Sequence, residues 1–156
     1  MAQEVDQVAA TLHRFGEDNT LYNEGYGSKW NPEGKPDNCV WVSVSRFFNH
    51  PVPEWSSMVS AAAPPGGASV GEIAHFIRQT CTMARCYMKD VEPTDIFYQG
   101  TLVCYSRPDG SGHCVLQREG RYMCFQHSDD GIDLSDEVND PDNTIFYCWT
   151  FVDSVY

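Results

Sequence analysis

Two short runs in the chain carry side chains that could do covalent chemistry. One is Asn38-Cys39-Val40, and the other is Gly112-His113-Cys114-Val115. A thiolate is a strong nucleophile, and an imidazole beside it both lowers the thiol pKa and carries protons. If Cys39 opens a helix, the unpaired N–H groups and the positive end of the helix dipole favour the thiolate further. Cys39 and His113 are therefore the candidate nucleophile and acid–base pair. Brought together, they would form an ion pair ready to attack a carbonyl.

The elements around these runs must bring them together. Asn38 to Phe48 reads two ways. CVWVSVS alternates like a strand, but Val40, Val44, Phe47 and Phe48 also make a helical stripe, and Asp37-Asn38 is good N-cap material. The helix is preferred, and Pro51 and Pro53 end that segment. Upstream, Glu4 to Phe15 reads as an amphipathic helix stopped by Gly16. Asn19 to Asp37 reads as an ordered loop. After the Pro64–Gly67 turn, Ser69 and Glu72 form a capping box for a second helix with Val70, Ile73, Ala74, Phe76 and Ile77 on its buried side. Strands are expected at Met83–Met88, Gly100–Ser106, His113–Arg118, Arg121–Gln126 and Thr144–Val152. Glu92 to Tyr98 reads as a short helical turn. Helices first and strands second is an α+β order.

The hairpin after His113 points to a third site residue. Glu119-Gly120 suits the centre of a two-residue turn. Arg118 then faces Arg121, and the same register puts Gln126 opposite His113, where it could orient the imidazole. A slip or bulge would offer His127 or Asp129 instead. Asn31 and Asn38 are candidate oxyanion donors beside the Cys39 backbone N–H.

The run Asn31-Pro32-Glu33-Gly34-Lys35-Pro36-Asp37-Asn38-Cys39-Val40 resembles the N-P-x-G-x-x-x-N-C-V signature of papain-fold toxin domains. Those domains sit at the ends of bacterial polymorphic toxins and in related effectors. Gly112-His113, followed by an apolar strand, a Gly turn and another strand, resembles the second signature of the same family. The resemblance implies a papain-like α+β fold, with a central helix starting at the nucleophilic Cys and packed on a four- to five-stranded antiparallel sheet. It also implies a Cys–His–Asp site that deamidates Gln side chains or cleaves peptides. Cys39 and His113 match residue by residue, whereas the family Asp aligns on Gln126, so the chain departs there. Viral leader proteases of the papain class, with an early Cys and a late Gly-His, offer a second resemblance. A non-catalytic binding module on the same scaffold is the third reading.

Composition fits these readings. At 156 residues the chain has the size of one domain, read as a single unit over residues 1–156. A net charge of −12 argues against nucleic acid or anionic membrane as partners; the resemblance implies a protein substrate. An inhibitory or immunity protein is a further expected partner, and the chain is expected to be a monomer. Seven cysteines without a C-x-x-C pair, behind an N-terminus with no signal-peptide apolar region, suggest free thiols in the cytoplasm, the protein's own or that of a target cell.

No cofactor or metal is expected. Gln126, Ser128, Asp130, Gly131 and Glu137 fall at EF-hand loop spacing, but position one is not Asp, and Asp133 stands where an apolar residue is usual. After Arg121 there is neither Lys nor Arg, and the acidic stretch reads as a solvated loop.

Overall fold

The structure is a computed structural model in which residues 14–15, 28–31, 38–49 and 67–153 are described. Its elements in chain order are β1 (Arg14–Phe15), α1 (Cys39–Phe48), α2 (Val70–Ala84), β2 (Tyr87–Asp90), β3 (Thr101–Ser106), β4 (Ser111–Arg118), β5 (Arg121–Cys124), β6 (Ile132–Asp133), α3 (Ser135–Val138) and β7 (Thr144–Val152). The chain is α+β, as its order of elements suggested. The sheet is wider than the four or five strands expected. It runs β2-β7-β3-β4-β5-β6 in antiparallel pairs, and β1 adds a short parallel contact to β4.

Segment Asn38–Phe48 is the helix, not the strand. Every residue of α1 from Cys39 to Ser45 is buried. Burial of this whole stretch puts apolar residues at alternate positions Val40, Val42 and Val44 as well as along the helical stripe, which is why its sequence also resembled a strand. Its Val-rich composition is tolerated because packing outweighs propensity. Trp41 stacks on Phe76 of α2, with ring centroids 4.4 Å apart and planes 13° apart.

In α2 the capping box forms as read: Ser69 Oγ accepts the Glu72 N–H, and Glu72 Oε1 accepts the Ser69 N–H. The helix runs further than expected and takes in Met83 and Ala84. It stops where Arg85 turns left-handed at φ 54°, so the strand begins at Tyr87. Glu92–Tyr98 is not helical; Glu92 and Asp95 close a turn through Asp95 N–H to Glu92 O and Glu92 N–H to Asp95 Oδ2. The stretch Glu4–Phe15, expected as a helix, lies outside the described residues except at its end. There Arg14 and Phe15 form β1 beside Ser111 and Gly112, a correction to the helix expected to reach Phe15.

The β4–β5 hairpin has the register read from its turn. Arg118 faces Arg121, Gln117 faces Tyr122 and Leu116 faces Met123. Glu119 at φ 52° and Gly120 at φ 78° give the double left-handed turn that matches strand twist.

Side-chain alternation divides the core. Leu102, Cys104, Cys114, Leu116, Trp149 and Phe151 face α1 and α2. Val103, Tyr105, Val115, Tyr122, Cys124 and Cys148 face the other way, where Val138 of α3 covers them. A bulge in β7 opposite Cys104 and Tyr105 leaves Phe146 as an extra residue. Phe146 and Tyr147 can then both turn to the α1 side.

Candidate active site

The site lies where the outer edge of β4 changes partner. Beside Ser111 and Gly112 that edge pairs with β1, and from Leu116 onward it pairs with β5. Between these stretches, α1 takes the place of a strand. Cys39 Sγ accepts the Cys114 N–H at 3.2 Å, and Ser43 Oγ donates to the Cys114 carbonyl at 3.1 Å. Positions i and i+4 share a helix face, so one face of α1 satisfies both backbone groups of Cys114. Ser43 was not singled out from the sequence. The signal was present as Cys-x-x-x-Ser at the start of a helix.

This contact also bounds the distance from the Cys39 sulfur to the His113 backbone. The Cys114 nitrogen is two covalent bonds, of about 1.3 and 1.5 Å, from the His113 Cα, so the Cys39 sulfur lies within about 6 Å of that Cα. His113 is fully buried and leaves β4 on the α3 side, where it faces Tyr105, its direct partner in β3. The two rings meet edge to face, with centroids 5.9 Å apart and planes at 86°. Cys39 and His113 thus approach from either side of one strand edge.

Three influences bear on the Cys39 thiol. It sits at the first position of α1, where backbone N–H groups lack intrahelical partners. It accepts a backbone N–H, which favours the charged form. Burial opposes both, since the residue is only 1% exposed. Burial dominates for several other thiols and pushes Cys86 and Cys148 up to about 12. Cys104 is raised well above the ordinary thiol range, first by burial and then by its hydrogen-bonded neighbour Cys114.

Gln126 does not join a ladder opposite His113, because the β4–β5 pairing ends at Leu116–Met123 and α1 fills the space beyond it. It lies instead in a buried ring of three side-chain amides. Gln126 Nε2 donates to Asn38 Oδ1 at 3.2 Å, Asn38 Nδ2 donates to Asn31 Oδ1 at 2.9 Å, and Asn31 Nδ2 donates to the Gln126 carbonyl at 3.0 Å. Asn38 occupies the N-cap position of α1, yet its side chain makes no cap hydrogen bond because the ring engages it. The two candidate oxyanion donors are therefore neighbours that brace the start of α1.

Asp129 is exposed and faces the turn at residues 28–31. Its Oδ1 accepts the Lys29 N–H at 2.7 Å, and its carbonyl accepts Trp30 Nε1 at 3.0 Å. Ser28 Oγ donates to the Phe125 carbonyl in the same contact. Asp129 thus anchors the loop that delivers Asn31. Gly131, at φ 86°, lets the chain pass close to Phe125; a Cβ there would lie 2.8 Å from the Phe125 ring.

The EF-hand spacing does not fold into a cation loop. Gln126 belongs to the amide ring, and Glu137 binds Arg107 and Tyr105. Among the described residues, no group of three or more His, Cys, Asp or Glu is arranged to hold a metal ion. No described helix is long and apolar enough to cross a membrane.

Comparison with known proteins finds no matching family model, no matching curated protein and no matching solved structure.

Proposed function

We propose that the chain is a papain-like thiol hydrolase in which Cys39 is the nucleophile and His113 the acid–base group. The supporting observation is the Cys39 sulfur on the Cys114 N–H, at a helix start and one residue from His113. In this reading the thiolate attacks a carboxamide carbon, and a tetrahedral oxyanion forms. The Cys39 backbone N–H is one donor to it, and the Asn31–Asn38 pair stands beside it. Collapse breaks the C–N bond, and His113 gives its proton to the departing ammonia. Neutral His113 then takes a proton from water, hydroxide attacks the thioester, and the thiol is released with a carboxylate product.

Deamidation of a protein Gln side chain by a toxin or effector is the favoured form of this chemistry. It follows the resemblance of the Asn31–Val40 run, and a short chain has little length with which to build an extended peptide cleft. A leader-protease-like peptidase would use the same acyl-enzyme with an amine as leaving group. A specific observation favours a second reading, a non-catalytic binding module. Cys39 is buried and serves as a packing acceptor for a strand edge.

The rate of iodoacetamide modification separates the two. A catalytic Cys39 reacts faster at neutral pH than the other six of the seven thiols. Slow labelling at Cys39, equal to the buried strand thiols, would favour the binding module.

A further inference from the structure

On the α3 side of β4 lies a charged cluster that the Cys–His chemistry does not yet use. Glu137 of α3 receives two hydrogen bonds. One comes from the Tyr105 hydroxyl to Oε2 at 2.8 Å, and the other from Arg107 Nε to Oε1. Arg107 also lies over the Tyr105 ring, 5.6 Å from its centroid, and its side chain is 7% exposed. Tyr105 in turn meets the His113 ring edge to face. The bulge in β7 falls beside Tyr105, a place where sheets re-aim a side chain.

We propose that Glu137 is a positioning residue for His113: through Tyr105 it fixes the imidazole plane, and its negative charge favours the imidazolium that pairs with the Cys39 thiolate. This rests on the Cys39–His113 reading above.

The other titratable groups facing this side are Tyr105 of β3, Tyr122 and Cys124 of β5, and Cys148 of β7, with Cys39 at the strand edge and Tyr147 on the opposite, α1 side. Burial raises Tyr105, Tyr122 and Cys148, so these stay neutral near pH 7. Burial also pushes Glu137 up, but the hydrogen bonds from Arg107 and Tyr105, the Arg107 charge and His113 together hold it below its ordinary value. Glu137 is therefore ionised there. Arg107 opposes it at His113, so removing only one of the two has a definite sign. Without Glu137 the uncompensated cation disfavours a second positive charge; without Arg107 the carboxylate acts alone.

The test is an NMR titration of His113 in the full chain, assigned by the signal lost in His113→Gln, with the pH profile of Cys39 alkylation measured in parallel. Glu137→Gln should lower the His113 midpoint by about one pH unit and raise the Cys39 midpoint. Glu137→Asp should largely restore both. Arg107→Gln should move His113 upward at an unchanged urea midpoint, a condition needed because solvent exposure alone also raises a buried imidazole. This arm also carries the test if Glu137→Gln does not fold.

An unmoved His113 midpoint in Glu137→Gln, or a downward one in Arg107→Gln, overturns the proposal. If His113→Ala still changes the Cys39 profile in that case, the Cys–His pair stands without Glu137. If His113→Ala leaves the Cys39 profile unchanged in the wild-type background, the pair itself fails and Glu137 has no such role.

Discussion

On the α1 side of β4, the hydrogen bonds described at the start of α1 join neutral groups: a backbone N–H, a serine hydroxyl and three side-chain amides. On the α3 side, the groups around His113 are a phenol and an ion pair. The two sides stabilise charge by different means. Around the sulfur, fixed dipoles would favour the proposed thiolate in a core where an unpaired charge is costly. Around the imidazole, the charge is real but is held as a pair that compensates itself. The proposed pairing of Cys39 with His113 would thus depend on two structures that share only the edge of one strand. Each can be broken without touching the other.

The largest effect is expected at the sulfur. Cys39→Ser keeps an acceptor for the Cys114 N–H but removes the thiolate. Single-turnover acylation by an activated ester should fall by about 10⁴-fold or more, with the urea midpoint nearly unchanged. Cys39→Ala should abolish acylation equally. It should also lose about 1–3 kcal/mol, because it strands a buried N–H and opens a small cavity. If serine retains full function in a binding assay, the sulfur is a packing atom only.

The next effect belongs to the other side of the strand. His113→Ala should slow Cys39 alkylation at pH 7 by about 10–100-fold, since losing the imidazolium raises the thiol pKa by about one to two units. Ser43→Ala probes the same strand edge without changing charge. It leaves the Cys114 carbonyl without its hydroxyl donor and should cost about 1 kcal/mol in urea unfolding, with a smaller change in alkylation rate. A reversal of these two ranks would mean that backbone capping, not the imidazole, sets the reactivity of Cys39.

What could be read from the sequence divides by range. The capping box at Ser69 and Glu72 and the left-handed pair Glu119-Gly120 were legible because each is decided within four residues. Cys39 as the first residue of a helix was legible from its N-cap composition. Yet Asn38 turned out to spend its side chain on Asn31 and Gln126 instead of capping the helix. Extending the correct hairpin register to His113–Gln126 failed for a tertiary reason: α1 wedges against Cys114 and displaces β5. The Glu137 cluster was hidden for the same reason. Its glutamate lies in an acidic stretch that reads as solvated, and only the packing of α3 on β3 brings it to Arg107 and Tyr105.

Acid stability distinguishes the charged side from the neutral one. The folded pKa of Glu137 is depressed, against the push of burial, by Arg107, Tyr105 and His113. Its contribution is therefore fully present above the ordinary carboxylate pKa of 4.5 and is lost as pH falls through the folded value below it. Glu137→Gln should flatten the acid limb of a urea-midpoint profile in that range. Gln126→Ala, on the neutral side, should lower the whole profile without changing its slope.

The smallest effect separates Gln126 from Asp129. From the hairpin register alone, Gln126→Asp would keep or raise turnover, because a carboxylate orients an imidazole better than an amide does. The structure adds a stability cost that the register alone does not show. Gln126 is 1% exposed and donates to Asn38 Oδ1. An aspartate there would lose the donor and bury a charge, so Gln126→Asp should destabilise at least as much as Gln126→Ala, by about 1–3 kcal/mol. Asp129 is exposed, and its bond to the Lys29 N–H can be replaced by water. Asp129→Ala should therefore change stability by only about 0.5 kcal/mol, with a modest fall in acylation rate as the loop carrying Asn31 loosens. Urea unfolding and single-turnover acylation of the three variants would rank them. If Asp129→Ala proves crippling for acylation while the fold stays intact, Asp129 must reach His113 in the reacting state, and the amide ring is no more than a brace for α1.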